Sequence, residues 1–243
     1  MMLLVFFVGL FSGETARGQG GCYAVGTMVL VGPFTNGTLN FGDGDHWQPG
    51  RSSGVRYSGG QCDGGIIPAF AVTDGQVMNW MFTHTSSNVH IDPPGVYLTD
   101  VNLLPSWLQT PGNLAQLISN LRVTAQHSNR YFNVNGGHVT SPTSFYTNAQ
   151  GITFCEGDCK AGDGGGILVV TGKLTNAGNF RFRGLILVVG EGGWARTGGG
   201  AEVAGNIIIA PYIRADGTIS STFLPPSYTI SGGGGVSTVG SFW

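Results

Sequence analysis

Charge is scarce in this chain of 243 residues. It has 11 Lys and Arg against 13 Asp and Glu, a net charge of −2, and one charged residue in ten. No basic cluster interrupts it, so recognition of a phosphate backbone has no electrostatic footing and no nucleic-acid partner is expected. Long apolar runs are also missing. Leu3 to Phe11 is apolar but spans only nine residues, where a bilayer needs about 20. Residues 1–18 therefore read as the hydrophobic region of a secretory signal, with Thr15 to Gly18 as a small-residue cleavage zone, or as a truncated anchor with N-terminal membrane association. The chain has no Gly-x-Ser-x-Gly elbow, and no Gly-Lys-Ser/Thr follows its glycine runs. His84, His90, His127 and His138 share no helical metal-binding spacing. The expectation is no catalytic residue, no cofactor, no bound metal and no small-molecule substrate.

Cysteine is sparse, with four residues: Cys22, Cys62, Cys155 and Cys159. An even count beside little lysine and much Asn, Thr, Ser and Gly suits an oxidising compartment. Three connectivities are possible, of which Cys22–Cys62 with Cys155–Cys159 is the simplest. A zinc site is the rival, but Cys155-x-x-x-Cys159 has no matching second pair.

Glycine, by contrast, is abundant at 43 residues, without the triplet period of collagen, and 14 phenylalanines argue against disorder. The stretch from Ile152 to Pro211 consists of short β-rich runs punctuated by glycine. Leu168-Val169-Val170 recurs as Leu187-Val188-Val189, and Ile207-Ile208-Ile209 follows after a further 20 residues. A loose repeat of this length predicts stacked supersecondary units. Continuously apolar runs suit parallel strands covered on both faces. Phe180 and Phe182 alternate with Arg181 and Arg183, so one face there meets solvent. The fold expected is mainly β: a short right-handed parallel β-solenoid (β-helix) with one packed amphipathic α-helix. In it Val169, Val188 and Ile208 stack in one interior column, and Phe180 and Phe182 point into the same core. The rival is an antiparallel meander.

Gly164 to Gly190, with the Gly198–Gly200 run, Ala201 to Ala210 and the tail from Phe223 to Tyr228 followed by Gly232–Gly235, resembles the signature block of bacterial PilX-like proteins. These are large minor-pilin-like components associated with type IV pilus assembly. The likeness covers most of the chain from about residue 38 and is specific from Ile152 to Ile209. It implies a non-enzymatic cell-surface structural or adhesion protein, in the cell envelope or extracellular. Its partners would be other pilus subunits or cell-surface proteins.

The remaining chain divides into a strand-and-turn region (19–105), an amphipathic helix (106–128) and the glycine-rich β region with its tail (129–243), with 19–243 forming one domain. Thr27 to Val31, Ala69 to Val72 and Val77 to His84 read as strands. Thr110 caps the helix, Pro111 opens it, and Leu114, Leu117, Ile118, Leu121 and Ala125 form one stripe. That helix is expected to cover an open end of the solenoid. Asp43, Asp45 and His46 offer a calcium-type cluster or, more simply, an Asx turn. Glu156, Asp158 and Asp163 read as solvated turn residues. The other functional class is a carbohydrate-binding or polysaccharide-lyase-like β-helix, in which Trp47, Trp80, Trp107 and Trp194 would line a groove.

Overall fold

Short runs of branched and aromatic residues, closed off by glycine, become strands because their side chains pack on a pleated surface and glycine accepts the corners. The computed structural model describes residues 26–40, 55–57, 59–62, 65–84, 89–91, 95–133, 137–139, 151–177, 179–197, 201–231 and 236–239. In chain order it has β1 (Met28–Leu30), β2 (Leu39–Asn40), β3 (Val55–Tyr57), β4 (Gly60–Cys62), β5 (Gly65–Ile67) and β6 (Phe70–Val72). Helix α1 (Gly75–His84), β7 (Val89–Ile91) and β8 (Val96–Leu98) follow, then two 3-10 turns and helix α2 (Pro111–His127). Then come β9 (Tyr131–Asn133), β10 (Gly137–Val139), β11 (Ile152–Glu156), β12 (Cys159–Ala161), β13 (Gly164–Val170) and β14 (Leu174–Ala177). The last strands are β15 (Phe180–Gly190), β16 (Trp194–Thr197), β17 (Ala201–Ile213), β18 (Tyr228–Ser231) and β19 (Val236–Val239).

From β9 to β18 the strands alternate between two sheets. One runs β8-β6-β1-β17-β15-β13-β11-β9, with β19 also on β17; the other runs β10-β12-β14-β16-β18-β2. Both are parallel throughout. The protein is thus mainly β with parallel sheets, which the meander excludes. The chain does not wind from one end to the other. Its first strand, β1, lies beside β17, with Val29 opposite Ile208. From there the strands proceed outward to the β8 edge. Residues 99–130 then cross to the other edge, and β9 to β18 return to meet β1 and β2. Seven strand spacings amount to about 34 Å. A helix the length of α2 covers about 26 Å of that, and the two turns before it make up the rest.

Two columns run through all eight strands of the longer path, ahead of a register shift between Val188 and Gly190 where β15 meets β17. Tyr97, Ala71, Val29, Ile208, Leu187, Val169, Phe154 and Tyr131 form one column. Leu98, Val72, Leu30, Ile209, Val188, Val170, Cys155 and Phe132 form the next. The two columns belong to different cores. The second faces the other sheet, with Phe180, Phe182, Ile186, Leu174, Trp194 and Tyr228. The first lies under α2, with Leu114, Ile118, Leu121, Ala125 and Trp107. Continuously apolar runs are therefore the mark of a sheet covered on both faces, by a sheet on one side and a helix on the other.

This corrects the expected column. Val169 and Ile208 share the α2 face with Leu187, whereas Val188 points to the opposite core. The repeated Leu-Val-Val does not set the register. A glycine ladder does: Gly166 pairs Gly184 and Gly184 pairs Gly205, at spacings of 18 and 21 residues. All three have positive φ, of 86°, 135° and 143°. A Cβ at Gly184 would lie 2.1 Å from the Gly166 carbonyl oxygen, and one at Gly205 would lie 2.0 Å from that of Gly184. Only glycine fits such an approach, so the glycines must stack and the neighbouring residues follow.

Two further expectations change. Val77 to His84 is helical, not extended: Val77 and Met81, four apart, are both buried, and the Asp74 carboxylate accepts from Gln76 N–H (2.7 Å) and Phe34 N–H (2.9 Å). Helix α2 lies inside the predicted 106–128, starting at Pro111 after a separate 3-10 turn, and has the predicted cap, with Thr110 accepting from Asn113 N–H. It covers the outer sheet face near β11 and β9, however, not an open end of the stack. Its stripe needs an apolar partner, and the sheet face offers more apolar area than an edge. Leu121 is buried in that contact and Leu117 half-buried at its margin.

Cys155 and Cys159 are joined by a disulfide, with Cα atoms 6.2 Å apart. Replacing both with alanine should lower the unfolding free energy by about 2 kcal/mol, the loop entropy of so short a ring. A denaturant titration measures this, and an unchanged midpoint would mean that the bond adds nothing. Cys22 lies outside the described residues, so the Cys22–Cys62 pairing does too, as do Asp43, Asp45, His46 and Trp47.

Candidate interaction surfaces

Opposite charges meet where α2, β9 and β11 come together. β11 ends at Glu156, immediately after Cys155, and β9 begins at Tyr131. Arg122 Nη2 donates to Glu156 Oε1 (2.5 Å), and the Tyr131 hydroxyl donates to the other carboxylate oxygen. The Arg122 guanidinium also lies over the Phe154 ring, 5.5 Å from its centre. One carboxylate thus ties the helix to the sheet edge. Its hydrogen bond raises the pKa of Tyr131. Both charged partners are part-exposed, so the ion pair itself adds little stability.

Tyr212, buried in the core under α2, has its pKa pushed up to about 12 by burial. Its neutral form is favoured in the folded state. The stability this contributes is complete below the unfolded value of about 10 and is lost as pH climbs from there to about 12. Alkaline titration should cost about 2–3 kcal/mol over that window. Tyr212→Phe should flatten the loss, as followed by near-ultraviolet circular dichroism and phenolate absorbance. An identical alkaline limb in the variant would place Tyr212 in water.

The acidic turn residues are anchors. Asp158 Oδ1 accepts from Lys173 N–H (2.7 Å), and Asp163 Oδ1 from Arg181 N–H (2.8 Å). Phe180 and Phe182 are buried while Arg181 is exposed and Arg183 half-buried. Arg181 lies 3.9 Å from Glu202 on the next strand. This face carries both signs of charge, engaged with each other.

On the smaller sheet, Cys159, Leu174, Trp194, Tyr228 and Leu39 occupy one inward column. The residues after them, Lys160, Thr175, Ala195, Thr229 and Asn40, are half-buried or exposed. Apart from Lys160 they form a face of short side chains. A polar cluster lies beneath it. Asn176 accepts from the Trp194 indole and donates to the Ala161 carbonyl (3.2 Å), and the neighbouring Arg196 is almost wholly buried. Sequence reading missed this cluster. The alternation in Trp194-Ala-Arg-Thr was its one signal, since it puts Trp194 and Arg196 on the same side.

The three described tryptophans do not converge. Trp107 and Trp194 are buried on opposite sides of the larger sheet. Trp80, on α1, is half-buried and stacks on His84 with ring centres 4.9 Å apart. Among the described residues, no group of three or more His, Cys, Asp or Glu side chains is placed to hold a metal ion. No described helix is long and apolar enough to cross a membrane. No family model matches the chain, and no curated protein or solved structure matches it.

Exposed large apolar side chains are concentrated elsewhere. Phe82, Tyr97, Leu98 and Leu103, all 47–69% exposed, fall within one segment that contains the edge strand β8. Val123 and Ile219 are the others found exposed among the described residues. Among the described residues, Tyr97 and Leu98 thus leave the β8 edge apolar on both faces of the sheet, and exposed apolar surface of this kind marks interaction sites.

Proposed function

We propose that the chain is a non-enzymatic structural or adhesion component of the bacterial cell surface, similar in role to PilX-like pilus-assembly proteins. In this reading the alternating strands wind as a short right-handed β-solenoid. The protein is exported to the cell envelope or beyond, and its partners are other surface subunits. The observation that carries the reading is the use of the large and charged side chains in packing. Trp107 and Trp194 are buried in two separate cores. Asp158 and Asp163 brace backbone N–H groups, and Glu156 pins a helix to a strand. Such a molecule offers a rigid surface, and surface recognition is what a stacked scaffold supplies.

The carbohydrate reading needs aromatic rings free to stack on sugars, and these two tryptophans are not. Fractionation of cells expressing the chain tests the proposal, together with titration of soluble polysaccharides followed by tryptophan fluorescence. The expected result is protein in the envelope or medium with Cys155 and Cys159 oxidised, and no saturable fluorescence change. Retention in the cytoplasm with free thiols, or saturable sugar binding, would overturn it.

A further inference from the structure

We infer that the two ends of the larger sheet are complementary docking edges, and that a second copy of this chain sets its β9 beside β8, in parallel, head to tail. The inference deepens the structural reading above by naming one partner, and it rests on that reading. Among the described residues β8 pairs with β6 alone and β9 with β11 alone, so each presents an unextended backbone edge. Every strand between them is parallel, and an added strand that preserves this pattern must come from the opposite end of another molecule. In this arrangement the faces of the two edges match. One column ends in Tyr97 at one edge and Tyr131 at the other; the next ends in Leu98 and Phe132. Docking β9 on β8 puts Tyr131 beside Tyr97 and Phe132 beside Leu98, and both columns continue across the junction.

Tyr97 and Leu98 are about half-exposed, while Tyr131 and Phe132 are half-buried. The docking would cover apolar surface that the single chain leaves to water. Phe82, on the helix packed against β8, is a further exposed apolar side chain at this end. The molecule already contains one such junction. β1 lies beside β17 with its columns in register, although Val29 and Ile208 are separated by most of the chain. Parallel addition of a distant strand is therefore a contact this sequence already makes. A head-to-tail contact of this kind does not close on itself, so it generates chains of subunits.

Sedimentation equilibrium of the full-length protein tests this. The wild type should show an apparent mass that rises with concentration beyond the dimer. A lysine on either edge should block one end only, by placing a charge at the junction. Tyr97→Lys and Asn133→Lys should each be monomeric, whereas an equimolar mixture should form a one-to-one dimer through its two intact ends. Far-ultraviolet circular dichroism checks that both variants are folded. If Asn133→Lys does not fold, Tyr97→Lys added to wild type should shorten the chains by terminating them. A monomeric wild type at all concentrations would overturn the inference. So would an Asn133→Lys variant that remains dimeric, since the contact would then join β8 to β8. A monomeric chain that still fractionates to the cell surface overturns the self-association alone. A self-associating chain retained in the cytoplasm overturns the surface reading alone.

Discussion

Gly184→Val should destabilise the protein by about 4 kcal/mol or more, enough to abolish cooperative unfolding in a domain of ordinary stability. Two effects combine. The backbone there has φ of 135°, a region essentially closed to a β-branched residue and costing about 1–3 kcal/mol even where space exists. Space does not exist: the new Cβ would stand 2.1 Å from the Gly166 carbonyl oxygen. That oxygen belongs to a strand paired on its other side to β11, so relief requires shifting several strands together. Gly37 provides the control. Its φ is 83°, but nothing lies within 4 Å of a Cβ placed there. Gly37→Ala should cost only about 1 kcal/mol, the conformational term alone. Thermal and denaturant unfolding of the two variants measure the difference. Equal effects would mean that the glycine ladder does not set the register.

Leu121→Asp should cost about 3 kcal/mol or more. Leu121 is buried on the α2 face that meets Phe154 and Val169. The substitution removes a contact worth about 1.5–3 kcal/mol and places a carboxylate in an apolar core. Arg122, the adjacent residue, is already engaged with Glu156. An unchanged thermal midpoint would remove α2 from the core and leave the outer sheet face uncovered.

What the sequence made legible was local. The stripe of α2 follows from helical spacing, its start from Thr110 and Pro111, and the burial of Phe180 and Phe182 from their alternation with arginine. Parallel pairing was legible from uninterrupted apolar runs, because only strands covered on both faces tolerate them. The register was not. Leu-Val-Val resembles itself at an offset of 19 residues, and apolar triplets look alike whichever face they meet. The glycine positions carried the information, through a close backbone approach that becomes visible only when the strands are adjacent. For a similar reason α1 was misread. Val77-Met-Asn-Trp-Met-Phe is compatible with either period, and the Asp74 contacts that start the helix involve Phe34, 40 residues away. The β1–β17 junction left no local trace at all. Pairing across so many residues is decided by the sum of tertiary contacts and not by any short pattern.

The interaction surfaces divide along the same line. The turn carboxylates were visible as residues, but their role depended on which backbone N–H groups the fold brought near them. The apolar β8 edge could not be recognised from Val96-Tyr-Leu, which reads as any strand. It becomes distinctive only because the sheet ends there.

The register of the parallel stack underlies both the fold and the docking edges. Nuclear Overhauser contacts between adjacent strands, measured on isotopically labelled protein, test it most directly. Leu187 should show contacts to both Val169 and Ile208, with Val188 contacting Val170 and Ile209 and remaining apart from α2. Contacts from Val188 to Val169 and Ile208, or an antiparallel pattern between β13 and β15, would contradict the account.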